Sequence, residues 1–279
     1  MAGRLYVVSL PIGNLADITL RAIETLKQAD FILAEDTRTT RRVLERYEVE
    51  TPFYSSLYEG AEDGRVADIL EVLRQGKDIA LVSDAGTPLI SDPGFPLVRD
   101  AAAAGVEVVP VPGPTAALAA LVASGLPPDR FCFEGSLPRK RSHREELFAR
   151  LAREPRTTVA YESPHRLRES LDLLALVLPD RPMAVARELT KVHEEFVRGR
   201  AADVAAEFAS RPEVRGECVL VIAGSDEARD PIDDDRLRAV LALAREEGIS
   251  GKSLERLLVA AFGMARNRAY EMAHGKEPE

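Results

Sequence analysis

Residues 78–116 read DIALVSDAGTPLISDPGFPLVRDAAAAGVEVVPVPGPTA, and the fold is decided here. Residues 79–82 and 106–111 are apolar runs, each long enough for one strand buried on both faces. Between them residues 95–104 have helical composition, and Gly105 stands where a helix would stop. Such a strand–helix–strand unit predicts parallel strands whose following loops share one edge of the sheet. Ligands of open parallel sheets bind at that edge. Both loops are unusual: Ser83-Asp84-Ala85-Gly86-Thr87-Pro88 after the first strand, Pro112-Gly113-Pro114-Thr115-Ala116 after the second. Glycine lets backbone approach a ligand, proline stiffens the loop, and Asp84 and Thr87 offer polar contacts. Ordinary capped turns use the same residue types, but two such loops in one unit favour a ligand-binding edge.

The composition, 46% hydrophobic and 30% charged over 279 residues, is that of a soluble globular protein with more than one domain. No apolar run approaches a membrane span, and the N-terminus lacks a signal-peptide layout. Two cysteines, Cys132 and Cys218, are too few for a disulfide scaffold or a metal knuckle and imply a reducing, cytoplasmic setting. The net charge of −9 argues against a uniformly basic nucleic-acid binder. A local basic patch remains, Arg139-Lys140-Arg141-Ser142-His143-Arg144, expected in a loop before a helix; a solvated loop is its bland explanation.

Along the chain, a strand over residues 5–9 runs into Leu10-Pro11-Ile12-Gly13-Asn14, another Gly/Pro loop at a strand end. A helix over 17–29 and a strand over 31–34 follow. The next loop crowds Glu35, Asp36 and Arg38 before a helix expected over 41–48, which is more than capping requires. One more amphipathic helix leads to the opening unit, so the first α/β domain spans 1–113 in the order βαβααβαβ. Residues 114–225 again alternate helices and strands and predict a second α/β domain. Its strands end in Glu162-Ser163-Pro164-His165-Arg166 and Arg187-Glu188-Leu189-Thr190-Lys191. Residues 226–235 read as an acidic linker, and 236–279 as three short helices resembling a helix-turn-helix unit or a structural tail.

The sequence has no G-x-G-x-x-G, no P-loop and no G-x-S-x-G elbow. His193-Glu194-Glu195 lacks the second histidine of a zinc helix, so no metal is expected. The remaining chemistry is a set of polar strand ends around a cleft between two α/β domains, suited to a nucleoside-bearing cofactor.

LPIGN, AEDTR, LVSDAGTPLISDPG, VPGPTA, DRFCFEGSLP, YESPHR, ARELTK and GECVLVI, in this order, resemble the RsmI family of ribosomal small-subunit methyltransferases, which have the tetrapyrrole-methylase fold. The resemblance covers residues 5–224, and the C-terminal segment resembles the helical tail of many members. It implies S-adenosylmethionine (SAM) as cofactor, a homodimer, and 2′-O-methylation of a cytidine in the decoding region of 16S rRNA, free or in the small subunit. Matched motif by motif, Leu10, Pro11, Asp84, Ala85, Thr87, Thr115 and Ala116 fall in cofactor-holding loops. Glu35, Asp36, Arg38, Glu162, Arg166, Glu188, Lys191 and Glu194 would face the acceptor nucleotide; outside these motifs, the basic cluster Arg139, Lys140, Arg141 and Arg144 is the expected RNA contact. Tetrapyrrole methylases usually carry a G-D-P turn where this chain has Asp84 to Pro88, a departure that favours the RNA-modifying branch.

A sulfonium methyl is already activated, so alignment is the main catalytic task, but a ribose hydroxyl needs its proton taken or polarised. A carboxylate or a lysine with lowered pKa serves, which makes Glu162, Glu188 and Lys191 the catalytic candidates; a salt-bridged cluster is the alternative for each. Two other functions stay open at this point. One is a methylase of tetrapyrrole-like small molecules, which needs neither basic loop nor tail; the other is a non-catalytic RNA-binding assembly protein.

Overall fold

Short apolar runs punctuated by glycine and proline become the strands. Residues Arg4–Val8 (β1), Phe31–Ala34 (β2), Phe53–Ser56 (β3), Ile79–Val82 (β4) and Glu107–Val111 (β5) form one sheet in the order β3-β2-β4-β1-β5. Every pairing in it is parallel. The computed structural model describes residues 2–56, 62–225, 234–262, 264 and 266–274. Helices Leu20–Gln28 (α1), Thr37–Arg46 (α2), Glu62–Arg74 (α3) and Phe95–Ala103 (α4) make the crossovers and bury separate apolar clusters around the sheet. The two strands of the opening unit are parallel as expected, with β1 between them. The chain leaves β1 in one direction and β4 in the other, so the crevice between their carboxyl ends is a topological switch point.

The edge strand β3 is absent from the sequence reading. Its four residues are only half-buried or exposed, so they carry no apolar run to announce it. The first helix begins at Leu20, not at residue 17, because the Thr19 hydroxyl accepts the Ala22 N–H and fixes the start there. Likewise Asp36 accepts the Arg38 N–H, and α2 starts four residues earlier than expected.

The second sheet, β6-β7-β10-β8-β9, combines Phe131–Ser136 (β6), Thr157–Glu162 (β7), Pro182–Arg187 (β8), Glu195–Arg200 (β9) and Cys218–Ile222 (β10). Only β6 and β7 are parallel; the other pairings are antiparallel. One face packs on Arg141–Leu151 (α6), Pro164–Val177 (α7) and Ala201–Ser210 (α8), around Phe148, Leu171 and Phe208. The other face receives Ala116–Ser124 (α5), whose Ala117, Ala120 and Leu121 meet Val159, Ala184 and Val221. Ile12, from the loop after β1, joins that second cluster.

The basic segment is not all loop. Helix α6 starts at Arg141, and Arg144 is 1% exposed, ion-paired to Glu169 at 2.5 Å. Arg144 sits at the fourth position of α6 beside Leu147 and Phe148, so the helix turns it inward; it is removed from the RNA-contact set.

Asp234–Glu246 (α9), Gly251–Phe262 (α10) and Arg266–Ala273 (α11) share a small core of their own around Leu237, Leu254, Leu258 and Ala269. The expected linker over 226–235 lies outside the described residues except for Asp234 and Asp235, which already belong to α9. Among the described residues no helix is long and apolar enough to cross a membrane, and no group of three or more His, Cys, Asp or Glu residues is arranged to hold a metal.

Candidate functional site

The loops at the carboxyl ends of the first sheet are knitted together. Leu10 and Gly86 exchange both backbone hydrogen bonds, at 2.8 and 3.0 Å, and Gly86 holds φ at 72°. The Ser9 and Thr87 hydroxyls are 3.0 Å apart, and Thr87 Oγ1 donates to the Pro114 carbonyl at 3.3 Å. These contacts fix the ends of β1, β4 and β5 as one rim. The second sheet approaches through Leu189 to Lys191. Asn14 N–H donates to Thr190 Oγ1 at 2.9 Å, and a Cβ on Gly13 would fall 2.6 Å from Lys191 Cγ, so only glycine permits this approach.

Between the two walls lies a cavity of about 370 Å³. Asp84, Ala85, Thr87, Thr115 and Ala116 line it from the first wall, with Glu35 beside them. Tyr161, Glu162, Leu189, Glu217 and Val219 line it from the second. Leu10 and Pro11 are buried beneath the rim and do not line the cavity, so their part is to hold the loops. Tyr161, Asp92 and Glu217 are wall residues that sequence reasoning passed over. Asp92 lay inside the opening stretch, but nothing there says that the chain after Thr87 folds back over the cavity. Leu89 and Ser91 make that return with φ of 73° and 72°, a backbone form costly for non-glycine residues and concentrated at binding sites.

Three carboxyl groups meet on the first wall. Burial pushes the Glu35 pKa up, and the charges of Asp92 and Asp84 push the same way. Burial also raises Asp84, which accepts the Asp36 N–H at 3.0 Å, and Asp92. Asp36 is different: hydrogen bonds from the Arg38 side chain, 2.6 Å away, and Arg38 N–H hold it at about 2. Arg38 itself stands out in solvent.

The catalytic candidates are all occupied. Glu162 is a buried structural anchor that takes Ser163 N–H at 2.7 Å, the Ser170 hydroxyl at 2.6 Å and Arg166 at 2.6 Å. Arg166 is spent there and on the Leu137 carbonyl. Lys191 Nζ bridges Glu188 at 2.8 Å and Glu217 at 3.1 Å. Burial opposes the Lys191 charge, yet these hydrogen bonds and the two negative charges outweigh it and raise the pKa. The lysine is therefore held as an ammonium, opposite to the lowered pKa that a proton-accepting amine needs. Its hydrogen bond, opposed by burial, holds Glu188 below the usual range. Glu194 caps the same turn through Thr190 N–H at 2.6 Å. Neither Glu188, Lys191 nor Glu194 lines the cavity. Arg139, Lys140 and Arg141 are exposed, and Arg141 pairs with Glu145 at 3.0 Å.

A two-sheet α/β chain with its cleft at these strand ends is the architecture of a known methylase class. The profile of the tetrapyrrole (corrin/porphyrin) methylases matches residues 4–205. In fold the chain resembles the methyltransferase CobJ, with a TM-score of 0.62, 23% identity, and coverage of 80% of this chain and 95% of that one. It also resembles a uroporphyrin-III C-methyl transferase from Thermus thermophilus complexed with S-adenyl homocysteine: TM-score 0.54, 23% identity, 79% and 97% coverage. Among curated proteins, ribosomal RNA small subunit methyltransferase I from Synechocystis sp. is 44% identical, over 97% of each chain. The protein of that name from Bacillus subtilis is 41% identical over 99% of this chain and 95% of its own. This chain belongs to the tetrapyrrole methylases and, within them, to the ribosomal RNA small subunit methyltransferase I family.

Proposed function

We propose that this protein transfers a methyl group from SAM to the 2′-hydroxyl of a cytidine in the decoding region of 16S rRNA, acting as a cytoplasmic homodimer. The observation that carries the reading is the cleft: Glu35, Asp84 and Asp92, all with raised pKa, on one wall, facing Tyr161, Leu189 and Val219 together with Glu162 and Glu217 on the other. A cationic, partly apolar nucleoside fits that donor set. Asp84, Ala85 and Thr87 with Thr115 and Ala116 would hold it, the carboxylates balancing positive charge while Ile12, Leu189 and Val219 receive apolar surface. SAM supplies a methyl group on a positively charged sulfur, ready for in-line attack. The chain's own contribution is alignment: the rim fixed by the Leu10–Gly86 pair and the strained return through Leu89 and Ser91 hold the walls at a set distance.

RNA capture by a protein of net charge −9 falls to its local clusters, Arg139, Lys140 and Arg141 at the start of α6 and Lys252, Arg256 and Arg266 on the last helices. Mass mapping of 2′-O-methylation on 16S rRNA, with and without this gene, tests the function. Loss of one cytidine 2′-O-methyl group in the gene's absence, restored by purified protein and SAM, is the expected outcome. An unchanged methylation map overturns it.

A further inference from the structure

We propose that Glu217, given no role from the sequence, is the carboxylate that takes the proton of the acceptor hydroxyl, and that Lys191 positions it. The proposal rests on the methyl-transfer reading above and names a residue of that same site. Four glutamates lie on or next to the second wall, and two of them, Glu162 and Glu217, line the cavity. Glu162 has hydrogen bonds on both oxygens and no exposed side-chain surface, so neither oxygen is free to take a proton from an acceptor in the cleft. Glu188 is bound by Lys191 and by Glu217 N–H, and Glu194 is bound by Thr190 N–H. Glu217 alone of the four both lines the cavity and keeps an exposed side chain, at 77%. Among the described residues its Oε1 takes no hydrogen bond, while Oε2 receives Lys191 Nζ.

Its orientation is built with care by its neighbours. Glu188 N–H donates to the Glu217 carbonyl at 3.0 Å, and Glu217 N–H returns to Glu188 Oε1 at 3.2 Å. Glu188 adopts φ of 51°, and Gly216 just before Glu217 has φ of 82°. A Cβ at Gly216 would lie 2.3 Å from the Glu188 carboxyl group, so the turn that presents Glu217 needs glycine on one side and a strained glutamate on the other. Glu188 and Lys191 thus act through Glu217. In the step itself the acceptor oxygen forms its bond to the methyl carbon as the carbon–sulfur bond breaks, and that electron pair goes to sulfur. The hydroxyl proton passes to Glu217 and then to solvent; nothing is oxidised or reduced.

The test uses the full chain with SAM and with 16S rRNA, free and in small subunits, from cells lacking the gene. Glu217→Gln is expected to lower the single-turnover rate by about 10²–10⁴-fold, the usual loss for a general base, with SAM affinity by calorimetry and the unfolding midpoint unchanged. The groups that share this electrostatic neighbourhood are Lys191, Glu188, Tyr161 and Cys218. Glu217→Asp, which keeps a carboxylate, recovers part of the rate, and Lys191→Met lowers the single-turnover rate while SAM affinity stays unchanged. A wild-type rate in Glu217→Gln overturns the assignment, as does a rate loss matched by lost SAM affinity. A wild-type protein that binds SAM but methylates neither RNA sinks the functional reading first, and this one with it.

Discussion

The carboxylates of the first wall and those of the second sheet are the same residue types in opposite electrostatic states. Glu35, Asp84 and Asp92 are half-buried next to one another, and burial raises each pKa. Among the described residues none of the three forms an ion pair. On the second sheet, Glu162 is tied to Arg166, and Glu195 bridges Arg187 at 2.9 Å and Arg211 at 2.8 Å. Hydrogen bonds from Arg211, against some burial and with help from Arg187, hold Glu195 at about 2. Acids clustered without a cationic partner cost stability and await a cation; acids clasped by arginine fasten strands and helices. Position in the sequence separates the two groups less well than their neighbours in space.

The comparison breaks most visibly at Glu162. Replacing it with alanine strands the half-buried Arg166 and the buried Ser170 hydroxyl; losing one partner of a fully buried pair typically costs about 3–5 kcal/mol, and the partial exposure of Arg166 places this loss towards the lower end. Urea denaturation reads this directly, and a wild-type midpoint would mean that Glu162 is no anchor. At Asp84 the expectation reverses. Asp84→Ala weakens SAM binding by about 1–3 kcal/mol, the cost of an unmade polar contact, with little loss of fold stability. Equal SAM affinity by calorimetry in the folded variant removes Asp84 from the cofactor site.

Acidity sharpens the contrast further. Because Glu35, Asp84 and Asp92 have raised pKa values in the folded protein, their stability contribution is present below the unfolded carboxylate pKa of about 4 and is lost as pH rises through the folded values. A bound cation favours their ionised forms. SAM binding is therefore expected to release protons and to weaken as pH falls through the raised values, whereas S-adenosylhomocysteine, uncharged at sulfur, shows less of this. Calorimetry in buffers of different ionisation enthalpy measures the protons, and none released would refute an acid-lined cation site.

Glu195 gives the smallest effect and the opposite slope. Its depressed pKa contributes stability that is present above the unfolded carboxylate pKa and lost as pH falls towards about 2. With about a third of its side chain exposed, solvent screening limits Glu195→Gln to about 1 kcal/mol at neutral pH. Acid titration of unfolding should show wild type and variant converging at low pH. Parallel curves would assign the stabilisation to packing rather than charge.

What the sequence determined by itself is local. The apolar runs at residues 79–82 and 106–111, the glycines at 86 and 105, and the Thr115 loop fix strands, turns and a parallel unit because each is set by neighbours a few residues away. Motif order carried the family, since LPIGN, SDAGTP and VPGPTA must recur together to build one rim. Tertiary structure alone decided which polar residues are free. Arg144 looks like its basic neighbours in the sequence, yet the turn of α6 buries it against Glu169. Glu162 and Lys191 read as reactive groups, yet the start of α7 folds Ser163, Arg166 and Ser170 onto Glu162, and Glu217, from the loop before β10, joins Glu188 on Lys191. Glu217 reads as an ordinary strand-edge acid, yet it faces the cavity because β10 runs antiparallel between β7 and β8 and starts at the edge where they end. A carboxylate's pKa and availability depend on what lies within a few ångströms, and that company is assembled only when the sheets close on each other.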